Sequence, residues 1–131
     1  MISENVKKVF AENPWFIATH GNELNVVPVG FKHITEDGKF AIGAVLLDTT
    51  LENIKKNGQI AIAVANPTTA ESYQVKGKAE LCQEGAAYEQ YAKLAEETFK
   101  GAHPVKCAIL VTPEKLIVAT PNSRNREELP L

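Results

Sequence analysis

Between Ser72 and Leu81 the chain alternates in character, with Tyr73, Val75, Ala79 and Leu81 on one side and Ser72, Gln74, Lys76, Lys78 and Glu80 on the other. Successive side chains of a strand point to opposite faces, so this pattern predicts a strand with one buried side and one wet or liganded side. The other apolar stretches fit that frame. Trp15 to Thr19 is apolar and aromatic, His20-Gly21-Asn22-Glu23 reads as a turn, and Leu24 to Ile34 returns as a longer strand, which predicts a hairpin. A turn at Asp37-Gly38 leads into a strand over Phe40 to Val45. The Ala/Ile/Val run from Gln59 to Ala65 reads as a doubly buried strand closed by Asn66-Pro67. Val105 to Val111 and Leu116 to Ala119 predict a last strand pair around Thr112-Pro113.

Three helices fall between these strands. Ile2, Val6, Val9 and Phe10 recur at helical spacing behind a candidate cap at Ser3, and the pattern stops at Asn13-Pro14. A second helix is predicted over about Thr49 to Asn57. Tyr88, Tyr91, Ala92, Ala95 and Phe99 trace the stripe of a third, ended by Gly101. The tail from Pro121 to Leu131 reads as polar and irregular. Helices inserted among hairpins, rather than alternating with strands, predict a mainly β (α+β) fold: an antiparallel barrel with peripheral helices.

Composition narrows the possible functions. At 131 residues, 44% hydrophobic and 23% charged, the chain is one globular domain spanning residues 1–131. Net charge is −2 and the basic residues form no block, which argues against nucleic acid as a partner. The opening MISENVKKVF lacks the apolar core of a signal peptide and no apolar run is long enough to span a bilayer, so the expected location is the cytoplasm, away from membranes. Cys82 and Cys107 read as buried thiols, and His20, His33 and His103 are too scattered to supply several ligands to a metal. There is no GxSxG, glycine-rich phosphate loop or HExxH helix, so hydrolase and kinase chemistry are not indicated. No catalytic residue is identified; if the chain is an enzyme, a bound cofactor carries the chemistry.

Four features could carry a ligand. Thr49-Thr50-Leu51-Glu52 reads as a capping box, which is either plain capping or, through the first-turn N–H groups and helix dipole, an anion site. On Leu24 to Ile34 one face carries Val27, Val29 and Phe31 and the other Pro28, Gly30 and Lys32. The second face is either a bulge or edge, or a place where another group approaches the backbone closely. Gln74 and Lys76 either face water or offer a donor and a positive charge. Arg124 and Arg126 either solubilise the tail or clamp an acidic ligand.

Asn25-Val-Val-Pro-Val-Gly30, Thr50-Leu-Glu-Asn-Ile54 and Ser72-Tyr-Gln-Val-Lys-Gly77, in that order, resemble the pyridoxamine 5′-phosphate oxidase-like FMN-binding split-barrel family over nearly the whole chain. The resemblance implies a six-stranded antiparallel split β-barrel and a homodimer with flavin mononucleotide (FMN) in the cleft between subunits. It further implies that Pro28, Val29 and Gly30 border the flavin ring with Leu46 near it, that Thr49, Thr50 and Asn53 surround the phosphate, and that Gln74 and Lys76 reach in from a neighbouring strand. Asn122 belongs to a Pro/Asn-rich segment that would cover the ring. Relatives usually place a lysine or arginine in the phosphate turn, whereas this chain has Asp48-Thr49-Thr50. The tail lacks the arginine and histidine substrate motif of the true vitamin B6 oxidases, so that activity is not expected. The expected function is an FMN-binding oxidoreductase exchanging electrons with a nicotinamide or other small molecule. The alternative is a non-catalytic module that stores or senses a flavin or another anionic ligand.

Overall fold

The computed structural model describes residues 1–131. Helix α1 (Glu4–Glu12) opens the chain, with the Ser3 hydroxyl accepting the Val6 N–H and Ile2, Val6, Val9 and Phe10 buried. Strands β1 (Trp15–Thr19), β2 (Asn25–Val29), β3 (Lys32–Ile34) and β4 (Phe40–Ala44) follow. Then come α2 (Thr49–Asn57), β5 (Gln59–Ala65), β6 (Ser72–Cys82), α3 (Ala86–Phe99), β7 (Cys107–Val118) and β8 (Glu128–Leu129). All pairings are antiparallel, in the order β2-β1-β5-β6-β7-β4-β3, with β8 attached to β7. No helix is long and apolar enough to cross a membrane.

The path has seven strands where six were expected, because the predicted strand Leu24–Ile34 is broken in two. Its halves sit at the two ends of the path, separated only by Gly30 and Phe31, so one bent segment pairs with β1 on one side and β4 on the other. That joins the ends of the sheet and curls it into a split barrel. The break also reverses the side-chain pattern, as any one-residue slip must. Val29 points into the core with Val27 packed against it, but Phe31 leaves their face to stack on Tyr91 of α3, with ring centroids 6.3 Å apart. Lys32 turns inward instead: its Nζ donates to the Phe10 carbonyl at 3.0 Å and lies 5.1 Å from the Trp15 ring centroid. Burial pulls the Lys32 ammonium below the usual lysine range, while the carbonyl and the ring supply partners for its charge.

Three further expectations are corrected. The last strand pair is one strand, β7, running through Pro113, and the irregularity falls where Lys76 faces Lys115 but Gly77 faces Pro113. Glu114 is left over, a bulge that absorbs the proline's missing donor without ending the strand. The run Gln59–Ala65 is covered on one side only: Ile60, Ile62 and Val64 are buried, whereas Gln59, Ala63 and Ala65 are exposed. The outer face here continues onto Phe16 and Val26, 47% and 63% exposed. The tail is more regular than expected, since β8 pairs with Leu116 and Ile117 and Arg124 meets Glu127 at 2.8 Å.

The main core fills the barrel, with Phe10, Trp15 and Phe40 in mutual aromatic contact. A smaller core joins α3 to the outside of β4 and β7 through Ala41, Tyr91, Ala95, Val105 and Ala108. The Tyr91 hydroxyl donates to the Ala41 carbonyl at 3.1 Å, so His33 Nδ1, 2.5 Å from the same oxygen, is the donor to it. Gly43 permits this docking, because a Cβ there would lie 2.7 Å from Tyr91 Cγ and 3.0 Å from Phe31 Cβ. Gly43→Val is therefore expected to lower stability by about 1–3 kcal/mol through overpacking. Urea unfolding checks this, with α3 the first element to lose hydrogen-exchange protection.

Candidate functional site

The bend that splits the sheet leaves a groove of about 250 Å³ between the end of β2 and the end of β4. Pro28, Val29, Gly30, Phe31, Gly43, Val45, Leu46, Leu47 and Phe99 line it, so no side chain in its wall can ionise. A Cβ built on Gly30 would meet nothing within 4 Å, which leaves the backbone there open to a close approach from the groove. The floor suits a flat apolar group.

One end of the groove runs into a polar terminus. Leu46 and Leu47 lead directly to Asp48 and the start of α2, so the first turn of the helix lies within two residues of the wall. The predicted capping box does not form. The N-cap is Asp48, which makes no side-chain cap bond; Thr49 is already helical, and Glu52 pairs with Lys55 at 3.5 Å instead of reaching back. The first intrahelical bond is from the Glu52 N–H to the Asp48 carbonyl, so the N–H groups of Thr49, Thr50 and Leu51 have no acceptor in the chain. Their donors and the positive end of the helix dipole converge where an anion is favoured.

The site residues expected from sequence are only partly brought together. Pro28, Val29, Gly30 and Leu46 share the groove, and Thr49 stands at its polar end. Thr50 and Asn53 face the protein. Thr50 is 1% exposed and its Oγ1 accepts from Asn25 Nδ2 at 2.9 Å. Asn53 is 2% exposed, and its Nδ2 donates to Thr19 Oγ1 at 3.1 Å and to the Glu23 carbonyl at 3.0 Å. These two side chains tie α2 to the β1–β2 hairpin.

Gln74 and Lys76 lie on the outer face of the sheet. Through the strand pairings Gln74 falls in one cross-strand row with Ala63, Phe16 and Pro28. Three strand spacings separate Gln74 from Pro28, about 14 Å. Lys76 lines a different, outward-facing groove of about 400 Å³ with Ala18, His20, Leu24 and Gln59. Asn122 sits in a third cleft beside Asn5, Glu71 and Tyr73, its Oδ1 accepting the Arg124 N–H. Arg124 is engaged by Glu127, so it is not a free anion clamp.

Sequence reasoning missed Lys106. From the loop before β7 its Nζ reaches the Leu47 carbonyl at 2.8 Å, bringing an ammonium group to the polar end of the groove. Nothing in the local pattern around Lys106 signals this, since 59 positions separate it from Leu47. No thiolate is available nearby: burial pushes the Cys107 thiol up, and Cys82 is raised for the same reason. No group of His, Cys, Asp and Glu is assembled that could hold a metal.

An apolar groove opened by a split in an antiparallel barrel and ending on an uncapped helix start is the architecture of a split barrel, and solved structures share that fold. The likeness drawn from the sequence motifs holds for the fold of the whole chain. The HupZ protein of Group A Streptococcus superposes with a TM-score of 0.81 at 24% identity, covering 95% of this chain and 98% of that one. An FMN-binding protein from Syntrophomonas wolfei gives 0.75 at 17% identity, covering 88% and 84%. A Lactobacillus delbrueckii protein provisionally assigned as a pyridoxamine 5′-phosphate oxidase gives 0.70 at 19% identity, covering 88% and 93%. No family model and no curated protein sequence matches the chain.

Asn53→Leu is expected to cost about 1–3 kcal/mol, because Thr19 and the Glu23 carbonyl lose their buried donor. Thr49→Val, at a half-buried position whose side chain makes no hydrogen bond within the chain, is expected to stay within about 0.5 kcal/mol of the parent. Parallel urea titrations separate the residue that holds the fold from the one that faces the groove.

Proposed function

We propose that this chain binds FMN at a homodimer interface and acts as an oxidoreductase on a small electron donor or acceptor. The observation that carries this reading is the groove itself, which combines a flat apolar floor open at Gly30 with unsatisfied N–H donors at one end. Those are the two requirements of a ring joined to a phosphate. In this reading Pro28, Val29, Gly30 and Leu46 contact the ring, while Thr49 and the backbone N–H groups of Thr49 to Leu51 hold the phosphate. A bound flavin supplies hydride and single-electron transfer, which no side chain in the groove can provide.

What one chain leaves incomplete supports the dimer. About 250 Å³ is less than the roughly 300–1,000 Å³ typical of small-molecule sites, so the groove offers one wall of a larger one. Beside it lies the exposed apolar row of Pro28, Phe16 and Ala63, flanked by Val26, on the outer face of the sheet. A second copy packed on that row would bury it and would let residues such as Gln74 and Lys76 approach the partner's groove, which they cannot do from within their own chain. The role of Asn122 would likewise be filled across the interface.

A non-catalytic flavin store or sensor is the second reading, favoured by the absence of any proton donor among the groove side chains. Both readings require flavin binding. Purified protein is expected to quench FMN fluorescence at micromolar concentration and to shift its visible bands; unquenched FMN would contradict both. Gly30→Val, which meets no steric obstacle in the chain, is expected to abolish quenching while leaving the circular dichroism spectrum and melting temperature close to the parent's. Oxidation of NADH by the flavin-loaded parent, followed at 340 nm, supports the enzyme; no turnover with nicotinamide donors or small oxidants supports the store.

A further inference from the structure

We infer that the outer-face groove beside Lys76 is a second ligand site, which holds a small molecule by a phosphate group. The inference does not rest on the flavin reading, because every group it uses belongs to one chain and none lines the groove at Gly30. At about 400 Å³ the outer groove falls within the roughly 300–1,000 Å³ typical of small-molecule sites. Its wall has two parts. Ala18, Ala61 and Leu24, the last 88% exposed, offer apolar surface that the body of a ligand can cover. His20, Gln59, Lys76, Lys78 and Glu114 make the polar part.

The cations lack partners within the chain. Lys76 and Lys78 stand two positions apart on β6 and share its outer face, with Cα atoms about 7 Å apart. The pairing of β6 with β7 sets Lys115 directly opposite Lys76. Like charges so placed cost stability, and no carboxylate lies within ion-pair distance of any of the three. Their ammonium groups donate no hydrogen bond to the chain, unlike those of Lys32, Lys56 and Lys106. Natural chains break such local rules mainly at functional sites.

The backbone beneath them is fixed. The bulge between Lys76 and Gly77 leaves Glu114 unpaired on β7 and in the wall of the groove. A Cβ on Gly77 would lie 2.4 Å from the Thr112 carbonyl oxygen, so the two strands approach too closely there for any other residue. Bulges of this kind re-aim side chains beside binding sites. His20 Nε2 donates to Gln59 Oε1 at 2.5 Å, which leaves the Gln59 amide nitrogen as a neutral donor. Charge then selects the ligand class. Three lysines against the one carboxylate of Glu114 leave an excess of two positive charges. A phosphate monoester carries about −1.5 to −2 at neutral pH and answers that excess, whereas a single carboxylate carries half as much. Lysine suits the task as a compact point charge with rotatable donors.

The test is amide chemical-shift mapping during titration with inorganic phosphate at constant pH, with and without saturating FMN, and with chloride at equal ionic strength as reference. Phosphate is expected to give saturable shifts at Ala18, Ala61, Lys76, Gly77 and Lys78 in both samples, and chloride is not. The double variant Lys76→Gln, Lys78→Gln is expected to lose about fivefold or more in phosphate affinity, a modest figure because both lysines are exposed. Glu114→Gln is expected to bind phosphate more tightly, since it removes the opposing charge. Opposite effects of these exposed substitutions separate binding from a structural role. Shifts that do not saturate, or that appear equally at lysines elsewhere, overturn the inference. Unchanged affinity in the folded double variant overturns it as well. Displacement of phosphate by FMN assigns the cations to the flavin and overturns it too. Phosphate shifts that persist in a protein indifferent to FMN support it and contradict the flavin reading alone.

Discussion

The segment from Asn25 to Ile34 pairs with β1 through its first half and with β4 through its second, and that double pairing closes the sheet. It requires the chain to bend at Gly30 and Phe31, and the bend has two consequences. The side-chain pattern reverses, sending Phe31 out to α3 and Lys32 in to the Phe10 carbonyl. The ends of β2 and β4 also part, and the gap between them is the groove. A straight strand would pair continuously and leave neither the gap nor an outer seat for α3. Closure, attachment of the third helix and formation of the site therefore share one cause.

Local periodicity made much of this legible. The alternation of Ser72 to Leu81, the capped stripe of α1 and the bounds of α2 all survive in the structure, because each depends on contacts within a few residues or on one buried face. Features set by distant partners were not legible. Phe31 reads as a companion of Val27 and Val29 until Tyr91 and Gly43 are seen to draw it away. Thr112-Pro113 reads as a turn until a bulge at Glu114 accommodates the proline within one strand. The resemblance implies that Thr50 and Asn53 surround a phosphate; that their side chains hydrogen-bond to the β1–β2 hairpin is set by distant partners and could not be read from the sequence. The alanine-rich Gln59–Ala65 reads as buried on both faces, whereas one face is covered by the barrel core and the other is open.

The site divides its work between backbone and side chain. Glycine and apolar side chains supply shape, the open turn of α2 supplies fixed dipoles, and Lys106, from the loop before β7, brings an ammonium group to that end of the groove. Such an arrangement favours a ligand by fit and electrostatics and contributes no acid or base of its own. Substrate choice would then depend on what the partner's outer face brings to the groove, which explains how one barrel could serve either a reductase or a flavin store.

The central claim is that a flavin lies with its ring against Gly30 and Leu46 and its phosphate at the first turn of α2. Amide chemical-shift mapping by NMR during FMN titration tests this most directly. The account predicts the largest shifts at Gly30, Leu46, Leu47 and the N–H groups of Thr49 to Leu51, with those of the first turn displaced by FMN and much less by riboflavin. Shifts confined to the Lys76 groove or to the cleft around Asn122, or no shifts at all with saturating FMN, would contradict it.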